Sequence, residues 1–291
     1  MKDLIKKAGI MVEMLPYIQK FRDAIVVVKF GGSAMEDAEL TKKTMRDIVL
    51  LEAVGMKVVV VHGGGKAITA KLAEMKIPTE FIHGFRKTCD ATIKVVDNVL
   101  HEDVNLNLVK AVNDIGGRGT QISGKHILQA EKMYASCPET GNAVDVGHVG
   151  TISDVDIAPI MDALNNNIIP IIPPLGSDKN GQTYNINADI AACKIAEALE
   201  AEKLVFVSDV PGILRDFTDE STLISTIRVS EVPGLIKTKV IGGGMLPKVK
   251  ASVHALETGT KYVHMIDGRI EHSLLLEFFT NSGVGTMIMN G

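Results

Sequence analysis

Three apolar runs in this chain end in glycine beside a residue able to meet an anion. Ile25 to Lys29 enters Gly31-Gly32, Val58 to Val61 enters His62-Gly63-Gly64-Gly65, and Leu204 to Val207 enters Ser208-Asp209-Val210-Pro211-Gly212. Glycine removes the side chain that would keep a backbone N–H away from an anionic oxygen, and a following helix adds the positive end of its dipole. Phosphate binding is the chemistry these loops suit. Two familiar nucleotide motifs do not account for them. His62-Gly63-Gly64-Gly65-Lys66-Ala67 lacks the GxGxxG spacing of a dinucleotide fold. Gly119-Thr120-Gln121-Ile122-Ser123-Gly124-Lys125-His126 follows a P-loop until its last position, where His126 stands in place of Ser or Thr, and it reads as a simple β-turn.

The elements that must carry these loops alternate between strand and helix. The apolar runs hold mostly Val, Ile and Leu without polar alternation, as strands buried on both faces of a parallel sheet do. Helices are expected from Asp37 to Val54, closed by Gly55, from Lys66 to Lys76, and from a cap at Asp90 to Asn113, ended by Gly116-Gly117. Gln121 to Tyr134 reads as short strands about a turn at Gly124-Lys125, and Ser136 to Gly150, rich in Pro, Gly and Asn, as a loop. Helix Asp156 to Asn165, strand Ile168 to Ile172, a helix from Ala188, strand Lys203 to Val207, helix Leu246 to Glu257, strand Tyr262 to Ile266 and helix His272 to Thr280 continue the alternation. Ahead of the first strand, Asp3 to Phe21 sets Leu4, Ile5, Ala8, Met11, Val12 and Leu15 at helical spacing, an amphipathic helix without a partner in its own unit. The fold class expected is α/β, a three-layer αβα sandwich with a largely parallel central sheet.

Composition narrows the function. A chain of 291 residues with 46% hydrophobic and 23% charged residues suits a globular enzyme rather than a disordered protein. A net charge of −4 excludes a general nucleic-acid binder, which needs a basic surface to displace counterions. Cys89, Cys137 and Cys193 are odd in number and lack CxxC spacing, so neither a disulfide framework nor a structural metal site is expected, and a reducing cytoplasm fits. No apolar stretch reaches the roughly 18 residues of a membrane span.

Six motifs occur in a fixed order: Val28-Lys29-Phe30-Gly31-Gly32-Ser33, His62-Gly63-Gly64-Gly65, Gly84-Phe85-Arg86-Lys87-Thr88, Asn185-Ile186-Asn187-Ala188-Asp189, Ser208-Asp209-Val210-Pro211-Gly212-Ile213-Leu214 and Gly243-Gly244-Met245-Leu246-Pro247-Lys248-Val249. Each is weak alone; the ordered set closely resembles the amino acid kinase family, and within it the arginine-sensitive members that phosphorylate the side-chain carboxylate of N-acetyl-L-glutamate. The resemblance implies a sheet of about eight strands. It also implies ATP with Mg2+, a place in arginine biosynthesis, and three regions: an oligomerisation helix over 1–21, a lobe over 22–200 for the acyl acceptor and dimerisation, and a lobe over 201–291 for ATP and arginine.

Residue by residue, the resemblance makes Lys29, Lys248 and Asp189 the catalytic set. Two ammonium groups would neutralise the transferring phosphoryl group while the carboxylate holds both, and no general base is needed because the acceptor carboxylate is already ionised. Gly64, Gly65, Arg86 and Asn185 would bind the acceptor, Arg86 as a fork on its α-carboxylate. Gly31, Gly32, Ser208, Asp209, Gly212 and Leu214 would bind the nucleotide. No protein metal cage is expected, since Mg2+ often keeps phosphate and water ligands. His62 reads as a loop-ordering hydrogen-bond partner. Tyr17, His264, Glu277 and Gly283 would form the inhibitory arginine site, with Glu277 facing the guanidinium, in a homo-oligomer expected to be a hexamer built as a trimer of dimers. A PII-type regulator is a further partner that the resemblance admits. The basic run Lys237-Thr238-Lys239-Val240 bears on the lining of the arginine pocket, and His148 stands where many relatives carry an aromatic residue. A kinase for carrier-bound aminoadipate, or for another amino acid or carbamate, is the nearest alternative, and a catalytically silent arginine sensor the alternative of a different class.

Overall fold

The computed structural model describes residues 1–137, 140–281 and 283–291. Among these, eight strands form one sheet in the order Thr226–Arg228, Thr286–Met289, Tyr262–Asp267, Lys203–Ser208, Ile25–Phe30, Lys57–His62, Ile169–Ile172 and Gly119–Gln121. Neighbours run parallel except Tyr262–Asp267 with Thr286–Met289. Alternate residues of the central strands point to opposite faces. Val27, Val59, Val61, Leu204 and Phe206 join the core on one side, and Val26, Val28, Phe30, Val58, Val60, Val205 and Val207 join the core on the other. Burial on both faces is why these strands read as unbroken apolar runs.

Register explains how distant motifs meet. Phe30 lies opposite both His62 and Val207, so the loops after Ile25–Phe30, Lys57–His62 and Lys203–Ser208 leave three adjacent strands at one level. The chain turns one way from Ile25–Phe30 to Lys57–His62 and places Lys203–Ser208 on the other side. That arrangement opens a crevice at the carboxyl ends of the strands, where ligands bind in open α/β sheets.

Several expectations are corrected. Ser136 to Gly150, expected as a loop, contains the end of strand Leu128–Ser136 and much of the 13-residue strand Ala143–Val155, paired as a hairpin with Tyr134 opposite Asp145; Pro138 and Glu139 lie outside the described residues. Its glycines had read as turn punctuation, but Gly147 marks close approach instead: at φ +77° it packs on Thr88, where a Cβ would overlap the Thr88 carbonyl, and the His148 N–H donates to that same oxygen at 2.6 Å. With Leu175–Ser177 and Thr183–Ile186 the hairpin forms a second sheet, closed as a small four-stranded barrel. The expected turn at Gly124-Lys125 is one helical turn, Gly124–Ile127. The N-terminal helix breaks at Met14 into Lys2–Glu13 and Leu15–Phe21, with Pro16 in the first turn of the second piece, where its missing N–H costs nothing.

The long helix expected from Asp90 is three segments: Asp90–Asn98, a π-wound Val99–Asn105, and Leu106–Asp114. Cys89, not Asp90, occupies its N-cap, while the Asp90 carboxylate meets His148 Nε2 at 2.5 Å. Strands Thr226–Arg228 and Thr286–Met289 and helix Val232–Lys237 were not anticipated. Among the described residues no helix is long and apolar enough to cross a membrane.

Candidate active site

Lys29 leaves the end of its strand beside Gly31, whose missing side chain makes room: a Cβ there would stand 2.7 Å from Lys29 Nζ. Helix Ala188–Ala198 starts at Asn187, whose side chain accepts from the Asp189 and Ile190 amides, and this cap presents Asp189 in the first turn. Helix Met245–Glu257, packed in the same core as helix Ala188–Ala198, brings Lys248 in its first turn. The three meet. Lys29 Nζ lies 3.0 Å from Asp189 Oδ1 and Lys248 Nζ lies 3.1 Å from Asp189 Oδ2. Burial works to raise the Asp189 carboxyl, but the two ammonium groups outweigh it and hold the group below the usual carboxylate range. Burial lowers the Lys248 ammonium despite Asp189, and its Nζ lies 4.7 Å from the Phe206 ring centroid.

A cavity of about 280 Å³ opens beside this triad, lined by Lys29, Asp189, Gly32, Gly64, Gly65, Arg86 and Asn185 among others. The catalytic and acceptor candidates, all but Lys248, thus share one space. Helix Gly65–Glu74 begins there, so the Gly64 and Gly65 amides belong to its cap and first turn, where N–H groups lack intrahelical acceptors. Arg86 is buried; its Nη2 donates to the Gly65 carbonyl at 2.9 Å and to Thr69 Oγ1 at 2.8 Å, and it stacks on Phe81. Its Nη1 is buried with no protein partner. A guanidinium nitrogen in that condition asks for an anion. A wider space of about 560 Å³ shares Gly32, Gly64, Gly65, Phe81 and Arg86 with the first and extends past Glu36, Asp103 and Asn107.

The nucleotide candidates divide. Gly32 stands at the cavity and, at φ +75°, packs against Asp209, which links the first and third glycine loops, while Gly31 stands against Lys29. Ser208 is buried with its hydroxyl unpartnered. Gly212 is held for a structural reason, since a Cβ there would lie 2.6 Å from Thr286 Oγ1. Leu214 lines a separate cavity of about 620 Å³ with Phe217, Ile236, Lys239, Val240, Gly242, Gly243 and Leu246. The basic run 237–240 therefore borders this cavity, not the cluster around Glu277.

That cluster is built as follows. His264 Nδ1 donates to Glu277 Oε1 at 2.6 Å, and the Val284 amide donates to Glu277 Oε2 at 2.9 Å. Gly283, at φ +61°, leaves room for the same carboxylate. Tyr17 stands apart from it, packed edge-on to Phe279 with its hydroxyl donating to Asn281 Oδ1 at 2.5 Å, and lines a cavity of about 660 Å³ with Lys20, Phe279 and Thr280. Sequence reading missed Lys203. It is buried with its Nζ 4.6 Å from the Phe21 ring and 4.5 Å from the Phe278 ring, and burial, opposed by Glu277, brings it down to about 8. A lysine opening an apolar run, where solvent exposure is the ordinary expectation, carried no signal of this.

The mostly parallel sheet, the glycine loops at its crevice and the two lysines on Asp189 are what a phosphate-handling α/β enzyme presents. The model of the amino acid kinase family matches residues 24–267, and the chain belongs to that family. It is similar to the acetylglutamate kinase of Thermoanaerobacter sp. (strain X514), 46% identical over 288 residues that cover 98% of this chain and 94% of that one. It is also similar to the acetylglutamate kinase of Brachyspira hyodysenteriae (strain ATCC 49526 / WA1), 47% identical over 281 residues covering 97% and 96%. Among solved structures, N-acetylglutamate synthase from Neisseria gonorrhoeae complexed with coenzyme A and L-arginine superimposes with a TM-score of 0.80 at 25% identity, over 98% of this chain and 65% of that longer one. Giardia carbamate kinase shares the fold, with a TM-score of 0.69 over 92% of this chain and 99% of that one at 15% identity.

Proposed function

We propose that this chain transfers the γ-phosphoryl group of ATP to the side-chain carboxylate of N-acetyl-L-glutamate, as a step of arginine biosynthesis. An acceptor carboxylate oxygen forms the new bond to phosphorus, the bond from phosphorus to the β,γ-bridging oxygen breaks, and ADP carries away that electron pair. The observation that carries the reading is Asp189 with an ammonium group at each oxygen, beside a cavity where Arg86 Nη1 has no partner. Lys29 and Lys248 meet the charge on the transferring group and the leaving oxygen, Asp189 fixes both, the Gly32 amide faces the phosphoryl oxygens, and the Gly64 and Gly65 amides face the acceptor carboxylate and the phosphoryl group it receives. Arg86 receives the acceptor's α-carboxylate and Asn185 its acetamide. The region 22–200 serves the acceptor and 201–291 the nucleotide, with Ser208, Asp209 and the cavity at Leu214 on the nucleotide side.

Mg2+ would arrive with ATP. No three metal-binding side chains cluster among the described residues, and Asp189, the carboxylate at the cavity, has both oxygens engaged by lysines. With no such cluster among the described residues, phosphate oxygens and water would hold the ion. Hydroxylamine trapping of the acyl phosphate tests the reaction, with N-acetylglutamate, glutamate and aminoadipate in parallel. Activity confined to N-acetylglutamate is expected. Activity only with aminoadipate, or with none, rejects the assignment.

Feedback inhibition by arginine in a hexamer is the regulatory part of the reading. Two observations favour it: the buried His264–Glu277 pair beside Gly283, and the N-terminal helix, whose Leu4, Ile5, Met11 and Val12 are all exposed. An apolar helix face in water favours a protein partner. The hydroxamate assay repeated with arginine tests it, and undiminished activity overturns it.

A further inference from the structure

The π-wound segment Val99–Asn105 interrupts the helix directly behind the glycine loop. In an α-helix, residues five apart lie about 140° apart around the axis, whereas winding with i→i+5 hydrogen bonds brings them to one face. Leu100 and Asn105 are five apart, and both bear on the loop. Leu100 packs so closely on Gly64 that a Cβ there would overlap Leu100 Cδ2. Asn105, fully buried, donates through Nδ2 to His62 Nε2 at 3.0 Å and to the Ile171 carbonyl at 2.9 Å.

With Nε2 accepting, the buried neutral His62 ring carries its proton on Nδ1, and that N–H donates to the Gly63 carbonyl at 2.7 Å. The Gly63 carbonyl and the Gly64 N–H belong to one planar trans peptide and point in opposite directions. Holding the carbonyl toward the buried ring turns the Gly64 N–H away from it, to the side where Gly63, Gly64 and Gly65 line the cavity. The outer face of the π segment is pinned as well: His101 joins Asp97 Oδ1 at 2.7 Å and Ser123 Oγ at 2.8 Å, and its carbonyl accepts from Gln121.

We infer that Asn105 is a positioning residue for phosphoryl transfer: from the π-wound segment it fixes the His62 tautomer, which fixes the Gly63–Gly64 peptide and aims the Gly64 N–H at the transferring group. The inference rests on the reaction proposed above. Asn105→Leu removes the donor and Asn105→Asp replaces it with an acceptor at nearly the same volume. Both are expected to lower kcat about 100-fold, the cost of misdirecting a group that aligns a transition state, with KM for ATP and acceptor changed less than about threefold. Asn105→Ser, which keeps an O–H donor, should recover part of the loss. Nitrogen-15 NMR of histidine-labelled protein supplies a readout that needs no turnover. His62 should be Nδ1-protonated and should not titrate between about pH 5 and 8, since burial holds it down to about 4, and Asn105→Asp should move the proton to Nε2. An Nε2-protonated His62 in the unaltered protein overturns the inference whether or not N-acetylglutamate is phosphorylated. So does an active Asn105→Asp variant with unchanged kcat. A protein with the expected tautomer and response to Asn105→Asp but no turnover of N-acetylglutamate supports the relay and rejects the substrate.

Discussion

Asp189 places one negative charge between two ammonium groups. Lys29 and Lys248 both lie within about 3 Å of its carboxylate, and all three side chains are largely buried. Asp189→Asn leaves two buried ammonium groups facing each other without a counter-charge, so their repulsion would spread them from the geometry that two negative reactants require. We expect kcat to fall by about 100-fold or more with the fold retained, measured by hydroxamate formation and circular dichroism. Arg86→Lys tests the acceptor end. A lysine can replace the charge but not the fork that holds Gly65 and Thr69 while leaving Nη1 for a ligand, so KM for the acceptor should rise at least tenfold with KM for ATP little changed. The candidate cluster was legible at this scale because Lys29, Arg86, Asp189 and Lys248 each stand within one of the ordered glycine- or asparagine-bearing motifs. Lys203 was not legible, because its burial depends on Phe21 and Phe278, which come to it from opposite ends of the chain.

Between elements, helix Ala38–Ala53 and helix Ser273–Phe279 are joined by a buried carboxylate. Asp47 Oδ1 receives His272 Nδ1–H at 2.6 Å, and His272 itself takes a left-handed backbone, φ +58°, at the helix N-cap. Burial raises Asp47 to about 6 against the opposing His272, well above the 3.8 of an unfolded chain. Between those values the folded protein binds the extra proton, so Asp47 adds stability that is fully present below about pH 4 and is lost as pH rises through about 6. Urea titrations across that range should show the slope, and Asp47→Asn should flatten it. Central strands were readable because burial on two faces leaves an unbroken apolar record, as in Lys203–Ser208. The hairpin Leu128–Ser136 with Ala143–Val155 was not, because Gly147 and Gly150 serve backbone and side-chain contacts that look like turn signals in one dimension. The π winding of Val99–Asn105 left no trace in the periodicity either, since one extra residue per turn shifts an apolar stripe by less than its own width.

For the whole molecule, the exposed piece Lys2–Glu13 has no buried residue and touches the body through Leu15–Phe21, where Phe21 is buried and Tyr17 meets the helix that carries Glu277. Deleting residues 1–14 should keep the fold and the basal activity while reducing the mass in solution and weakening arginine inhibition; an unchanged mass by light scattering would refute the assembly role. The sheet order has one more consequence. Thr286–Met289 lies between Thr226–Arg228 and Tyr262–Asp267, parallel to one and antiparallel to the other, so it is an interior strand of the sheet. Both of its backbone edges are taken, and until it docks the two flanking strands present bare edges. Displacing this one strand would cut Thr226–Arg228 off from the sheet and leave, in place of paired backbone, an open template for aggregation.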